Sequence, residues 1–447
     1  MNQLAKDWRD RLNELIGHPA FLPATFLLYI GLRALLIAFV PVEPSSDFAW
    51  YHNRAVGLVE GAGYSEGGVP TAFWPVGWPA AAAGLYWLFG KQVLVLQIAN
   101  LVFGALTFVL VVALGRAIFA SEQAARLGAF LLAVYPNNIA YASLSATETF
   151  YTFLLLLGTW LIVAGRRMPW AIAGGLVFGY ATLTKPQTLL MPMILIAIPL
   201  LFTRDRQQWL TALRRLTGVY LALALVITPW LYRNYQVFGE PVFISTNSGW
   251  ALLVGNNPSA LAHRGFPTDG GPEVLALRKE TFTVANQVES NRRAKAAAVA
   301  WIRDNPGTFL LLMPIKAFSL WSVDGEAEWS FQIGTPWYDD HQTAFRGVRI
   351  LNQVFYLAMM TGFAAGAWLL WRRYRRLGDF GTVAPWALAG YGFAAITTLQ
   401  CMVMAGSYRY KFPLMPFIIL TCAWSASCWL QSRATAPAGR PRVIRLA

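Results

Sequence analysis

The sequence predicts an all-α polytopic membrane protein, and three observations carry that expectation. Of its 447 residues 56% are hydrophobic and only 13% charged, with a mean hydropathy of +0.44. Apolar surface on that scale needs lipid to cover it. Apolar runs also recur at close to the ~20 residues that one helical crossing takes. Finally, the cations that give a net charge of +14 gather in alternate loops. The expected architecture is about 10–13 transmembrane helices with juxtamembrane helices and a small mixed outward loop region.

Ten candidate spans can be read directly: 21–40, 93–119, 127–144, 149–164, 170–183, 189–202, 216–231, 350–371, 382–404 and 412–430. Lys6, Arg9 and Arg11 precede the first. Arg116 and Arg126, Arg166 and Arg167, and Arg204, Arg206, Arg214 and Arg215 fall in alternate loops. Arg372, Arg373, Arg375 and Arg376 follow a later span, and Arg433, Arg440, Arg442 and Arg445 close the chain. This positive-inside pattern places both termini and those loops in the cytoplasm. The basic balance therefore reflects topology, and nucleic acid is not an expected partner. The loops facing outward are then 41–92, the turns near Ser145, Lys185 and Arg409, and the long connector from 233 to 349. Parity makes the apolar run 309–323 an interfacial or re-entrant helix, and three regions result: 1–232, 233–349 and 350–447.

Cys401, Cys422 and Cys428 all lie in apolar spans, where a thiol is a small packing residue and no disulfide is implied. The first span is long for a signal peptide, carries Arg33 and lacks a small-residue cleavage site, so it is expected to be retained. Arg33, in mid-span, must face protein, either paired with an acid or lining a cavity. The basic tail after Arg433 reads as flexible.

The first outward loop holds the most informative residue, Asp47. Pro44, Ser45 and Ser46 offer a helix start. Asp47, Tyr51, Arg54 and Leu58 recur at helical spacing, and Gly61 and Gly63 stop the helix. Asp47 thus falls in a first turn, where the helix dipole favours its ionised form, although simple capping would also place an Asp there. The second half of the loop, from Pro70 to Pro79, has the aromatic and proline content of a site at a lipid–water boundary. Farther on, 242–245 and 251–254 read as a pair of short strands, and 284–304 as a charged helix ended by Asn305, Pro306 and Gly307. Trp250, His263 and the asparagines of the connector suit contact with carbohydrate, equally with ordinary loop polarity.

Several stretches carry a resemblance. They are Ser46 to Gly90 with its run PTAFWPVGWP, then YPNNIAYASLSATETFYTFLL around Glu148, TLTKPQTLLMP around Lys185, 229–258, and YRYKFPLMP at 408–416. In this order they resemble the bacterial polyprenyl-phosphate-sugar glycosyltransferases of the GT-C superfamily, which include protein O-mannosyltransferase-like (glycosyltransferase family 39) and lipid A aminoarabinose transferase enzymes. The resemblance spans most of the chain and specifies neither sugar nor acceptor.

The resemblance implies an inverting transfer of a sugar from a polyprenyl-phosphate (undecaprenyl-phosphate) donor to a hydroxyl on a cell-envelope glycan, lipid or protein, at the outer face of the bacterial inner membrane. Asp47 is implied as general base, and Glu148 as a second acidic position, against which stands a capping box formed by Ser145 to Glu148. Lys185 and Arg409 are the cations expected to meet the leaving phosphate, with Tyr51, Tyr408, Lys411 and Arg233 as further binding candidates. Lysine and arginine at span ends also snorkel to the interface without any such role. No cofactor is expected, although Asp47 and Glu148 could together offer hard oxygen ligands to a divalent cation. A lipid-linked sugar flippase or transporter, or a non-catalytic subunit of a glycosylation complex, would share the spans. The first should show internal repeats and broken mid-membrane helices, which are not visible here; the second should lack the acid and the cations.

Overall fold

The computed structural model describes residues 2–264 and 271–431. The basic tail read as flexible, Arg433 to Arg445, lies outside them. Twenty α-helices follow one another: α1 Asn2–Gly17, α2 Phe21–Phe39, α3 Ser46–Val59, then strands β1 Ser65–Glu66 and β2 Val69–Pro70, α4 Gly77–Phe89, α5 Val93–Phe119, α6 Glu122–Ala133, α7 Pro136–Tyr141, α8 Thr147–Ala164 and α9 Met168–Thr184. A 3-10 turn, Pro186–Leu190, leads into α10 Met191–Leu200 and α11 Arg206–Phe238. The connector supplies α12 Ser248–Gly255, α13 Pro272–Thr281, α14 Gln287–Asp304, α15 Pro306–Trp321, α16 Ala327–Gly334 and α17 Trp337–Asp340. The chain closes with α18 Gln342–Leu377, a 3-10 turn Pro385–Leu388, α19 Ala389–Val403, a third 3-10 stretch Tyr408–Leu414, and α20 Met415–Gln431.

Among the described residues, 7 helical segments are long and apolar enough to cross a membrane: Phe21–Phe39, Val93–Phe119, Thr147–Ala164, Arg206–Phe238, Gln342–Leu377, Pro385–Val403 and Tyr408–Gln431. The runs at 170–183 and 189–202 also form helices, α9 and the Pro186–Leu200 segment, each shorter than those seven; α9 packs between α8 and α11. The run at 127–144 is not one helix, because Pro136 has no N–H to give and its ring collides with the preceding turn. The chain breaks there into α6 and α7.

Arg33 is explained by that break. Its guanidinium, fully buried, donates to the carbonyls of Leu132 (3.1 Å) and Ala133 (3.1 Å), to Tyr29 O (2.9 Å) and to Asn138 Oδ1 (2.5 Å). Carbonyls orphaned at the end of α6 thus take the place of the expected acid partner. On α5 the exposed residues Leu94, Ile98, Val102, Leu106 and Val109 recur at helical spacing, an apolar stripe that only lipid can cover. The centre of the bundle is α20, buried almost throughout and packed on α6 and α18.

One further reading is revised. Residues 251–254 lie in helix α12, and among the described residues the only strands are β1 and β2, a hairpin turned by Gly67 and Gly68 at φ 58° and 77°. Short apolar runs fit either period; here Trp250 and Leu253 face Phe73, Val274, Ala294 and Ala298 in a small core of the connector, which a helix satisfies. The run at 309–323 forms α15, whose buried Leu312, Lys316 and Leu320 pack on α19 and the Tyr408–Leu414 turn.

Candidate active site

The loop that carries Asp47 is clamped from both sides. Glu43 N donates to Gly334 O at 2.9 Å, fixing the approach to α3. Ser46 sits at φ 50°, a left-handed conformation that a serine adopts only when its surroundings hold it. Gly61 and Gly63, at φ 79° and 68°, end the helix as its sequence indicates. The second half of the loop is docked on the connector by Gln287: its Oε1 accepts from Ala72 N (2.9 Å), Thr71 Oγ1 (3.2 Å) and Thr246 Oγ1 (3.0 Å), and its Nε2 donates to Pro70 O (3.2 Å).

Four chain segments converge on Arg409. Its Nη1 donates to Asp47 Oδ2 at 2.7 Å; its Nε and Nη2 donate to Glu148 Oε1 and Oε2 at 2.7 and 3.2 Å. Phe48 presents its ring to the guanidinium at 4.8 Å. Lys185 Nζ donates to Glu148 Oε1 at 3.0 Å. Lys185 owes its place to Pro186, which ends α9 and holds the lysine extended, at φ −141°. Arg409 sits at the start of a 3-10 stretch whose entry is capped by Ser407 Oγ, accepting from Arg409 N at 3.3 Å.

Glu148 is fully enclosed, whereas the side chains of Lys185 and Arg409 keep 14% and Asp47 18% of their surface exposed. The cluster is thus largely withdrawn from solvent, where charges interact more strongly than in water. The capping box read at Ser145 to Glu148 does not form. Ala146 is the cap residue, without a side-chain bond, and the Glu148 carboxylate goes to the two cations instead.

A fifth member has no counterpart in the sequence reading. Glu326, at the mouth of α16, brings Oε1 to 3.8 Å from Arg409 Nε, and its Oε2 accepts from the Tyr141 hydroxyl at 3.2 Å. Burial, the largest influence, outweighs Arg409 and pushes its carboxyl up to about 8. The only signal for it was Asp324-Gly325-Glu326, acids around a glycine (φ 108°) just beyond an apolar helix.

The other candidates are placed differently. Tyr51 is buried one turn along α3 from Asp47, and burial raises its phenol well above the usual value, with Asp47 adding to the shift. Tyr408 precedes Arg409 in the same 3-10 stretch. Lys411 does not join the cluster: its Nζ lies 3.6 Å from Asp324 Oδ1 and donates to the carbonyls of Tyr408 (3.2 Å) and Val323. Asp324 in turn accepts from Tyr135 OH (2.7 Å) and Asn352 Nδ2 (3.0 Å). This buried network sets the 323–326 segment against 408–411, and so Glu326 against Arg409. Arg233 donates to Thr71 O and Tyr64 O, both at 2.9 Å, and braces the first loop. Both cations thus have structural partners, Lys411 at Asp324 and two carbonyls, Arg233 at the carbonyls of the first loop. Asp47 and Glu148, the pair offered to a divalent cation, share Arg409 between them. Among the described residues no group of three His, Cys, Asp or Glu is spaced to hold a metal ion.

Residues 75–232 match the family model described as dolichyl-phosphate-mannose-protein mannosyltransferase. That stretch includes Glu148 and Lys185 but not Asp47, Glu326 or Arg409. No curated protein matches this chain by sequence. Among solved structures, the oligosaccharyltransferase AglB of Archaeoglobus fulgidus in complex with an inhibitory peptide and a dolichol-phosphate is similar over 95% of this chain and 52% of its own, at 15% identity and a TM-score of 0.55. The Archaeoglobus fulgidus oligosaccharyltransferase in complex with Zn and sulfate is similar over 92% and 49%, at 14% identity and a TM-score of 0.54. The chain spans about half the length of these proteins. ArnT from Cupriavidus metallidurans bound to undecaprenyl phosphate aligns over 91% of this chain and 77% of its own, at 14% identity and a TM-score of 0.42. Residues 75–232 thus match one family model, and over most of its length the chain shares the helical membrane fold of the archaeal enzyme.

Proposed function

We propose that this protein is an inverting glycosyltransferase that moves a sugar from a polyprenyl-phosphate donor to an acceptor hydroxyl at the extracytoplasmic face of the membrane, with both termini in the cytoplasm. The observation that carries the reading is the single guanidinium of Arg409 held between Asp47 and Glu148, with Lys185 on the far side of Glu148. A base and two cations stand in one partly buried cluster, as displacement of a phosphate at a sugar carbon requires. The family described for residues 75–232 and the dolichol-phosphate named with the archaeal neighbour agree with a donor of this class.

In this mechanism Asp47 accepts the proton of the acceptor hydroxyl as that oxygen bonds to the anomeric carbon. The bond from that carbon to the phosphate oxygen breaks on the opposite face, which inverts the centre, and the electron pair leaves with the phosphate. Arg409 and Lys185 meet the added negative charge, Arg409 by its planar fork and Lys185 as a point charge. Glu148 acts through them, as a positioning residue that keeps both cations aimed at one spot. The connector at 233–349, which holds the first loop through Gln287, is where the acceptor would be chosen.

The test is Asp47→Asn in the purified full-length chain. Transfer should fall by about 10²–10⁴-fold, the usual worth of a general base, while undecaprenyl phosphate is still bound. A variant that keeps full transfer removes Asp47 as base and leaves a flippase or a non-catalytic subunit as the better reading.

A further inference from the structure

The cluster holds three carboxyl groups and two cations, and that imbalance has a chemical meaning. Asp47 and Glu148 offset Arg409 and Lys185 in charge, so a third ionised carboxylate would leave the cluster net negative and repel an anionic ligand. Glu326 is that third group. The hydrogen bonds of Arg409 go to Asp47 and Glu148. Glu326 Oε1 stands beyond hydrogen-bond range, at 3.8 Å from Arg409 Nε. Its Oε2 is already an acceptor, for the Tyr141 hydroxyl at 3.2 Å. In the neutral acid the proton therefore belongs on Oε1, the oxygen on the Arg409 side.

We propose that Glu326 is a phosphate-binding residue that works as a neutral carboxylic acid: its O–H donates a hydrogen bond to the phosphate of the lipid donor, and its ionisation shuts that phosphate out. The assignment rests on the polyprenyl-phosphate reading above and adds a third phosphate contact to Lys185 and Arg409.

The surroundings favour the neutral form. Facing Glu326 are Arg409 from the 3-10 stretch, Tyr141 from α7, Glu148 from α8 and Asp47 from α3. Tyr408 and Tyr410 lie on the same side. Of these only Arg409 is cationic, and it already faces two carboxylates. On the flanking segment, Lys411 acts chiefly on Asp324 and more weakly on Glu326, and Glu328 is engaged by Arg349 at 3.3 Å. Burial then places the titration of Glu326 near 8. A bound phosphate would raise it further, since an adjacent anion favours the protonated form, and by linkage phosphate binding must weaken as Glu326 loses its proton.

The experiment measures the dissociation constant of undecaprenyl phosphate for the full-length chain in nanodiscs, by native mass spectrometry, from pH 7 to 9.5. For the wild type the constant should rise about tenfold per pH unit above pH 8, the slope of one linked proton. Glu326→Gln keeps a hydrogen-bond donor but has no proton to lose, so its constant should be flat over that range. Glu326→Ala should be flat too, and weaker at pH 7. A Gln variant that retains the wild-type rise, or a wild type without one, overturns the assignment of Glu326 while leaving the donor reading intact. Absence of undecaprenyl phosphate binding to the wild type at every pH would instead sink the donor reading, and this assignment with it.

Discussion

Asp47 and Arg409, 362 positions apart in sequence, form an ion pair at 2.7 Å in which each keeps less than a fifth of its side chain exposed. The pair brings the first turn of α3 against the 3-10 stretch that leads into the central helix α20. Arg409 also reaches Glu148, so one side chain fixes the spacing between both acids. A lysine has a point charge and no planar fork, and cannot hold two carboxylates in this geometry.

Arg409→Lys should therefore cost turnover more than binding. Hydrogen bonds to charged groups contribute ~1.5–3 kcal/mol each, so losing one oriented contact in the transition state predicts a fall in kcat of about tenfold to a hundredfold. The dissociation constant of undecaprenyl phosphate should change by less, since the positive charge remains. Steady-state transfer and direct binding on the same preparation check this. Equal losses in both would mean that Arg409 serves only to hold the ligand.

Glu148→Gln probes the centre of the cluster. Glu148 is fully enclosed and takes hydrogen bonds from Lys185 and twice from Arg409. Removing its charge leaves two buried cations facing one another with Asp47 as the remaining counterion, a change that costs ~3–5 kcal/mol when a buried pair is broken. The melting temperature in detergent should drop by several degrees. Added undecaprenyl phosphate should restore more of it than in the wild type, because the phosphate replaces the missing anion. An unchanged melting temperature would show that Glu148 does not balance these cations.

Asp47, Glu148, Lys185 and Arg409 were legible as a group because each lies at the end of an apolar run, beside a proline, glycine or serine that stops or starts a helix, and a charge there has few structural reasons to exist. What local pattern cannot carry is pairing at a distance. Lys411 and Arg233 look like Lys185 and Arg409 in sequence, yet Asp324 and the carbonyls of the first loop claim them. Glu326 gave almost no signal, since its meaning depends on Tyr141 and Arg409 from other segments. Arg33 demanded a partner, but the orphaned carbonyls of α6 became visible only once Pro136 had broken that helix. The fold class followed from composition.

The placement of Lys185 depends on a residue without a side chain. Gly77 opens α4 against the end of α9, where Tyr180 OH donates to its carbonyl at 3.0 Å. A Cβ at this position would stand 2.3 Å from Thr184 Oγ1, 2.6 Å from Thr184 N and 2.7 Å from the Leu183 carbonyl carbon. Two of those atoms are backbone and cannot rotate away, so Gly77→Ala must push α4 from the residue that immediately precedes Lys185. Overpacking of this kind costs ~1–3 kcal/mol, and a displacement near 1 Å at a positioned charge can cost about a hundredfold in rate. Gly77→Ala should thus lower kcat by about tenfold to a hundredfold with a modest loss of melting temperature. Gly84→Ala, in the same helix, is the control: a Cβ there meets nothing within 4 Å, and alanine favours a helix interior by ~1 kcal/mol over glycine. Transfer rates and melting curves of the two variants side by side check the relationship. If Gly77→Ala proves as silent as Gly84→Ala, close contact between α4 and α9 is not what sets Lys185 in the cluster.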